Sequence, residues 1–251
     1  MPTPAETDQK EEIAILIADE IEHTSTFPLF SNTRGKLGVL SPGLMDESIR
    51  VRDFFSLIGL GIERLVEKWG SEAPQWSYER LGNYVEEKDA NVNVVLRTYG
   101  GKEFRVWSLM HLLDKWNAEG RVTRGFVPEY AASAGATVFA HTGERHMGYT
   151  AHSFHHLASN EKTGEIYDGP NHIKHYLKQI SMLLRREVRL EELKTDGPDK
   201  AVYFGGWRLQ TDGVAKAYVG PDKLLDHFRQ TTGINPEDYP ELKAVFELKA
   251  V

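Results

Sequence analysis

Cysteine is absent from the 251-residue chain, and its absence removes several kinds of chemistry at once. Without a thiol the protein has no cysteine nucleophile, no disulfide, no cysteine-ligated metal centre and no redox pair. A chain of this length buries enough surface to be stable without disulfides. A catalytic function would therefore have to use a different nucleophile or an activated water.

Long apolar segments and targeting signals are also missing. The longest apolar candidates, residues 13–18 and 54–62, are far shorter than a membrane-spanning helix of about 20 residues. The first ten residues are polar and acidic, unlike a secretory signal peptide. We therefore predict a cytoplasmic protein, with export by a route that needs no such signal as the alternative.

Positively charged residues are scarce in the N-terminal segment of the chain and not elsewhere. The formal net charge is −7, and residues 1–25 contain seven acidic residues against one lysine. The rest of the chain is close to neutral, so its charge does not exclude anionic partners. The phosphate-binding loop, GxSxG and HExxH patterns are all absent, and no aromatic and basic signature of nucleic-acid binding is present.

The first 90 residues are predicted to be an acidic, mainly helical region. Ile13, Ile17 and Ile21 recur at a spacing of four with acidic residues between them, which is typical of an amphipathic helix. Residues 91–251 form a mixed α+β body, and the two regions are expected to make one compact unit. C-terminal helices are predicted to start at Pro221, ending at Gly233, and after Pro236 or Pro240.

The sheet is predicted to be built from hairpins. Two strand-like runs meet at Gly100–Gly101, a second hairpin turns near residues 160–163, and a third turns near residues 211–213. Between them, a helix from Ser108 to Gly120 and strands at 122–127 and 136–141 are expected, the last two around the small residues 131–136. Hairpins separated by helices indicate an α+β fold with a mainly antiparallel sheet.

Seven of the ten histidines lie between residues 141 and 175. In the second predicted hairpin, alternation places His152, Phe154 and His156 on one face, and the return strand brings Asp168 level with His152. A carboxylate that holds one imidazole nitrogen leaves the other available as a general base. We therefore predict a hydrolase or transferase with His152 as base and Asp168 as its partner, acting on a small-molecule or peptide-like substrate.

The remaining predicted site residues would line the pocket or assist the reaction. Tyr149, His156 and Tyr167 lie on or beside the strands that carry the histidines, and Trp207 follows two glycines that permit a close approach of the backbone. Ser108, at the start of a predicted helix, is a candidate for a hydroxyl nucleophile. No cofactor is needed for this chemistry.

Two alternatives stay open. The first is a metal-dependent enzyme in which His141, His146 and His155 hold one zinc or non-haem iron ion that activates a water. The second is a protein without catalysis, such as an effector or a partner-binding module, because no nucleophile motif is visible.

Overall fold

The computed structural model describes residues 10–22, 25–41, 74–156, 174, 177–178, 180–182, 186–189, 201–211 and 213–247. The strands are β1 (Glu12–Ile21), β2 (Phe27–Ser31), β3 (Gly35–Leu40), β4 (Gln75–Trp76), β5 (Asn91–Gly101), β6 (Thr123–Val127), β7 (Tyr130–Ala132), β8 (Glu144–Gly148), β9 (His152–His156), β10 (Ala201–Gly205) and β11 (Lys216–Tyr218). The helices are α1 (Tyr78–Glu87), α2 (Trp107–Ala118), α3 (Ala134–His141), α4 (Gly206–Thr211), α5 (Pro221–Thr232) and α6 (Pro240–Phe246). Among these residues no helix has both the length and the apolar character needed to cross a membrane.

These elements form a mixed sheet with helices, as an α+β fold requires, but the sheet is not mainly antiparallel. The pairs β1–β5, β5–β6, β6–β8, β8–β11, β3–β4, β5–β7 and β7–β9 are parallel. Only β1–β2, β2–β3 and β9–β10 are antiparallel. The prediction failed because α2 and α3 are crossover connections that carry the chain back between parallel strands.

The predicted helix near Ile13 is wrong, because these residues form β1 at the centre of the sheet. Ile13, Ile15 and Ile17 pack into one core cluster, whereas Ala14 and Leu16 pack into a second one. All five side chains are buried. A strand buried on both faces has a continuous apolar run, and such a run also satisfies a spacing of four.

The predicted Gly100–Gly101 hairpin is also wrong. β5 runs on to Gly101, and the chain then enters a short 3₁₀ turn, Glu103–Arg105, before α2. The third predicted hairpin does not form either, since Gly206 begins α4 and β11 pairs with β8 instead of β10. The predicted strand at 136–141 lies inside α3.

The helices with clear end signals are confirmed. α2 ends shortly before Gly120, which has a φ of 78°. α5 begins at Pro221 and ends at Gly233, whose φ of 67° is the left-handed conformation that glycine favours. α6 begins at Pro240 as expected.

Candidate active site at the Ser133 turn

The predicted histidine strand forms, and its side chains alternate as expected. His152 at the start of β9 is exposed and Phe154 is half-buried, whereas Ser153 and His155 are buried on the other face. Ser153 Oγ and His155 Nε2 share a hydrogen bond of 2.9 Å. β9 pairs with β7 on one side and with β10 on the other, so it has no free edge for the return strand of the predicted hairpin. Asp168 lies outside the described residues, and its role as the partner of His152 stays a prediction.

Of the predicted pocket residues, Tyr149 is the one whose side chain the structure describes. Tyr149 lies after β8, where its backbone N–H donates to the carbonyl of Tyr218 at 2.8 Å. Tyr167 and the side chains of His156 and Trp207 lie outside the described residues. Gly206, beside Trp207, does permit a close approach, but what lies against it is the backbone of Gly148.

The three histidines of the metal alternative have separate partners. His141 Nδ1 bonds to Asp114 Oδ1 at 2.8 Å, and His146 Nδ1 lies 3.1 Å from the hydroxyl of Tyr218. His155 bonds to Ser153 as described above. Within the ranges that the structure describes, no group of three histidine or acidic residues is arranged to hold a metal ion.

The unusual backbone of this region is at Ser133, which the sequence reading overlooked. Ser133 joins β7 to α3 with φ 50° and ψ −121°, outside the regions that residues with a Cβ prefer. Asp19 and Asp89 also have positive φ, but aspartate tolerates that conformation better than most residues. A residue held in such a conformation costs about 1–3 kcal/mol and persists only where its surroundings impose it.

Neighbouring backbone imposes this turn. The Ser133 N–H donates to the carbonyl of Phe154 on β9 at 2.9 Å, and its carbonyl accepts from the N–H of Thr137 at 3.0 Å. On the other side lies Gly100 of β5, with φ 95°, where an added Cβ would stand 2.5 Å from the Cβ of Ser133. Gly135 packs directly on the methyl group of Thr98, so the small residues 131–136 are required by this close contact.

The turn places Ser133 at the amino end of a buried helix. All eight residues of α3 are buried, while Ser133 itself is half-buried. The Ser133 side chain does not cap α3. The first backbone N–H groups of the helix therefore retain donor capacity, and together with the helix dipole they favour negative charge at this point.

The end of β9 lies beside the turn. Since Ala132 pairs with Phe154, His155 stands level with Ser133, and His156 is the next residue. His152 pairs with Tyr130, three residues earlier, which is about 10 Å back along the strand. The turn thus places Ser133 and the first N–H groups of α3 beside the end of β9, the strand that contains His155 and His156.

Comparisons with known proteins give a likeness of fold. No protein-family model and no curated protein matches the chain. Among solved structures it is similar to a variant of the 1510-N membrane-bound stomatin-specific protease, at 18% identity over 57% of this chain and 70% of that chain, with a TM-score of 0.42. Another variant of that protease, in complex with a substrate peptide, gives 18% identity over 59% and 70%, with a TM-score of 0.43. A variant of ClpP1 from Listeria monocytogenes gives 11% identity over 84% and 94%, with a TM-score of 0.47. At these values no residue role follows from the likeness.

Proposed function

We propose that the protein is a hydrolase in which the Ser133 hydroxyl attacks the carbonyl carbon of an ester or amide substrate. The observation that carries the proposal is the backbone of Ser133, a strained serine at a sharp strand-to-helix turn. Such a turn presents a serine oxygen at the edge of a sheet and away from its own helix, as a nucleophile requires. No other described serine has a positive φ.

The amino end of α3 would stabilise the negative charge of the reaction. When the hydroxyl oxygen bonds to the carbonyl carbon, the carbonyl oxygen becomes an oxyanion, and the N–H of Ala134 is the nearest helix donor. The N–H of Gly100 is the second candidate, and in the free protein it donates to Thr98 Oγ1 at 3.0 Å. Loss of one such donor slows comparable reactions by about 100-fold to 1000-fold.

His156 is the general base of the proposal. It follows His155 at the end of β9, and His155 is already committed to Ser153. The base takes the hydroxyl proton of Ser133 and returns it to the departing alcohol or amine. A water then hydrolyses the acyl group on Ser133, which regenerates the hydroxyl.

Labelling with a fluorophosphonate tests the nucleophile. We expect one adduct per chain, located at Ser133 by peptide mass spectrometry, and no adduct in Ser133→Ala. Ser108→Ala is the matched control and should label fully, because Ser108 is exposed on α2 and lies within a regular helix. A folded protein that stays unlabelled, or an adduct at Ser108, would contradict the proposal.

The rate of labelling tests the base. His156→Ala should slow the reaction by at least about 100-fold, since general bases contribute 100-fold to 10,000-fold. His152→Ala should change it little, because β9 places that residue about 10 Å farther back. The reverse result would return the role of base to His152, as the sequence alone predicts.

A further inference from the structure

A stacked pair of tyrosines lies on the sheet next to the Ser133 turn. The ring centroids of Tyr99 and Tyr130 are 4.3 Å apart, with an angle of 24° between the rings. Tyr99 directly precedes Gly100, and Tyr130 is three residues before Ser133. Tyr99 is 71% exposed, which is a high value for a large aromatic residue.

The register of three strands extends this pair into an aromatic surface. Thr98 pairs with Ala131, so Tyr99 and Tyr130 occupy diagonal positions on the same face. On the next strand Phe154 pairs with Ala132, which places the half-buried Phe154 on that face as well. We call Tyr99, Tyr130 and Phe154 the aromatic platform.

Tyr130 of the platform is uncharged at neutral pH, and the cation beside it is paired. Burial, followed by the hydrogen bond that the Tyr130 hydroxyl donates to Tyr99, raises the pKa of Tyr130 to about 12, so this hydroxyl stays protonated at neutral pH. Beside it, Arg97 pairs with Glu129 at 2.7 Å and donates to the carbonyl of Ala244 at 2.9 Å. The nearest positive charge is therefore neutralised, and the surface offers flat apolar rings to a ligand.

We propose that the aromatic platform binds the group next to the scissile carbonyl of the substrate and selects an aromatic or large apolar one. This inference rests on the proposed function. A carbonyl carbon placed at Ser133 has Gly100 and the platform on its β5 side, so the adjoining substituent would lie against Tyr99. Aromatic rings prefer stacked or edge contacts with such groups, whereas a carboxylate would lose water there without gaining a partner.

A series of p-nitrophenyl esters tests the selection. The acyl groups are acetyl, hexanoyl, 3-phenylpropionyl and succinyl, and the quantity measured is kcat/KM. We expect the 3-phenylpropionyl ester to exceed the acetyl ester by at least about tenfold, the scale on which apolar pockets discriminate. The succinyl ester should react no faster than the acetyl ester.

Variants show whether Tyr99 is responsible. Tyr99→Ala should remove most of the preference, measured as the ratio of kcat/KM for the 3-phenylpropionyl ester to kcat/KM for the acetyl ester. Tyr99→Phe should retain this ratio because it keeps the ring. Val219→Ala is the control for an exposed apolar residue and should keep the preference, since Val219 follows β11, which pairs with β8 and not with a platform strand.

The outcomes separate the two proposals. If Ser133 labels with the fluorophosphonate but Tyr99→Ala keeps the full preference for the aromatic ester, the aromatic platform is not the subsite and the nucleophile assignment stands. If Ser133 does not label in the folded wild type, the proposed function fails and the inference fails with it.

Discussion

Replacing His146 by phenylalanine should flatten the dependence of stability on pH. His146 lies on β8 with 7% of its surface exposed, stacked on Phe126 at 4.9 Å with an angle of 17° between the rings. Its ring is 4.6 Å from that of His227. Burial, followed by the nearby His227 and the cations of Arg124 and Lys216, lowers the pKa of His146 to about 3.

The size of the effect follows from the two protonation states. The unfolded chain binds a proton at this position with a pKa of 6.5, whereas the folded chain binds it only near pH 3. Between those values the unfolded state holds more protons, so the free energy of unfolding falls as the pH falls. At pH 5.0 this one group lowers it by about 2 kcal/mol, and at pH 7.5 by less than about 0.1 kcal/mol.

Urea unfolding at pH 7.5 and pH 5.0 measures the difference. In His146→Phe the loss of stability between the two values should be smaller than in the wild type by about 2 kcal/mol. Tyr218→Phe is the control, because it removes the same hydrogen bond and keeps the imidazole. It should preserve the wild-type dependence. An unchanged dependence in His146→Phe would refute the reasoning, since the group would then not be held neutral by the fold.

Three further predictions concern the turn and the buried charges. Gly100→Ala should destabilise the protein by at least about 3 kcal/mol and abolish Ser133 labelling, because its Cβ would collide with Ser133; Gly120→Ala, also at positive φ but with open space around it, should cost only about 1 kcal/mol in urea unfolding. In urea unfolding, the free energy of unfolding of Ser133→Gly should exceed that of Ser133→Ala by about 1 kcal/mol, because glycine adopts the backbone angles of this turn without strain. The buried carboxylate of Glu12 lies 3.0 Å from the guanidinium of Arg124. Arg124→Met should lower the free energy of unfolding by about 3 kcal/mol, because it leaves this carboxylate without its cation. Adding Glu12→Gln to Arg124→Met should recover part of that stability.

The elements that could be predicted from sequence are those whose signals are local. α2, α5 and α6 have a proline or glycine at their ends, and these residues act through their own backbone angles. The alternation along β9 is local as well, since successive side chains of any strand point to opposite faces. None of these signals depends on which strands become neighbours.

The wrong predictions concern segments whose structure is determined by contacts with residues far away in the sequence. Ile13 and Leu16 lie on a strand with core on both faces, which only the parallel pairing with β5 creates. Ser133 was overlooked because its neighbours are small and apolar, so residues 131–136 carry no polar motif. The usable signal was the run of small residues itself, since alanine and glycine that follow a strand indicate a close contact between backbones.

The proposed site lies where the partner of β5 changes from β6 to β7. Val95 pairs with Phe126 and Thr98 pairs with Ala131, so three steps along β5 correspond to five along β6 and β7. The two extra residues include Pro128, which has no N–H to offer to a ladder. Before this change of partner β6 lies beside β8, and after it β7 lies beside β9, so the sheet divides. Ligands of sheets with parallel strands bind where neighbouring connections diverge at the carboxyl ends of the strands. Gly100 and Ser133 meet at such an end, so the site proposed at Ser133 has the position that this rule expects.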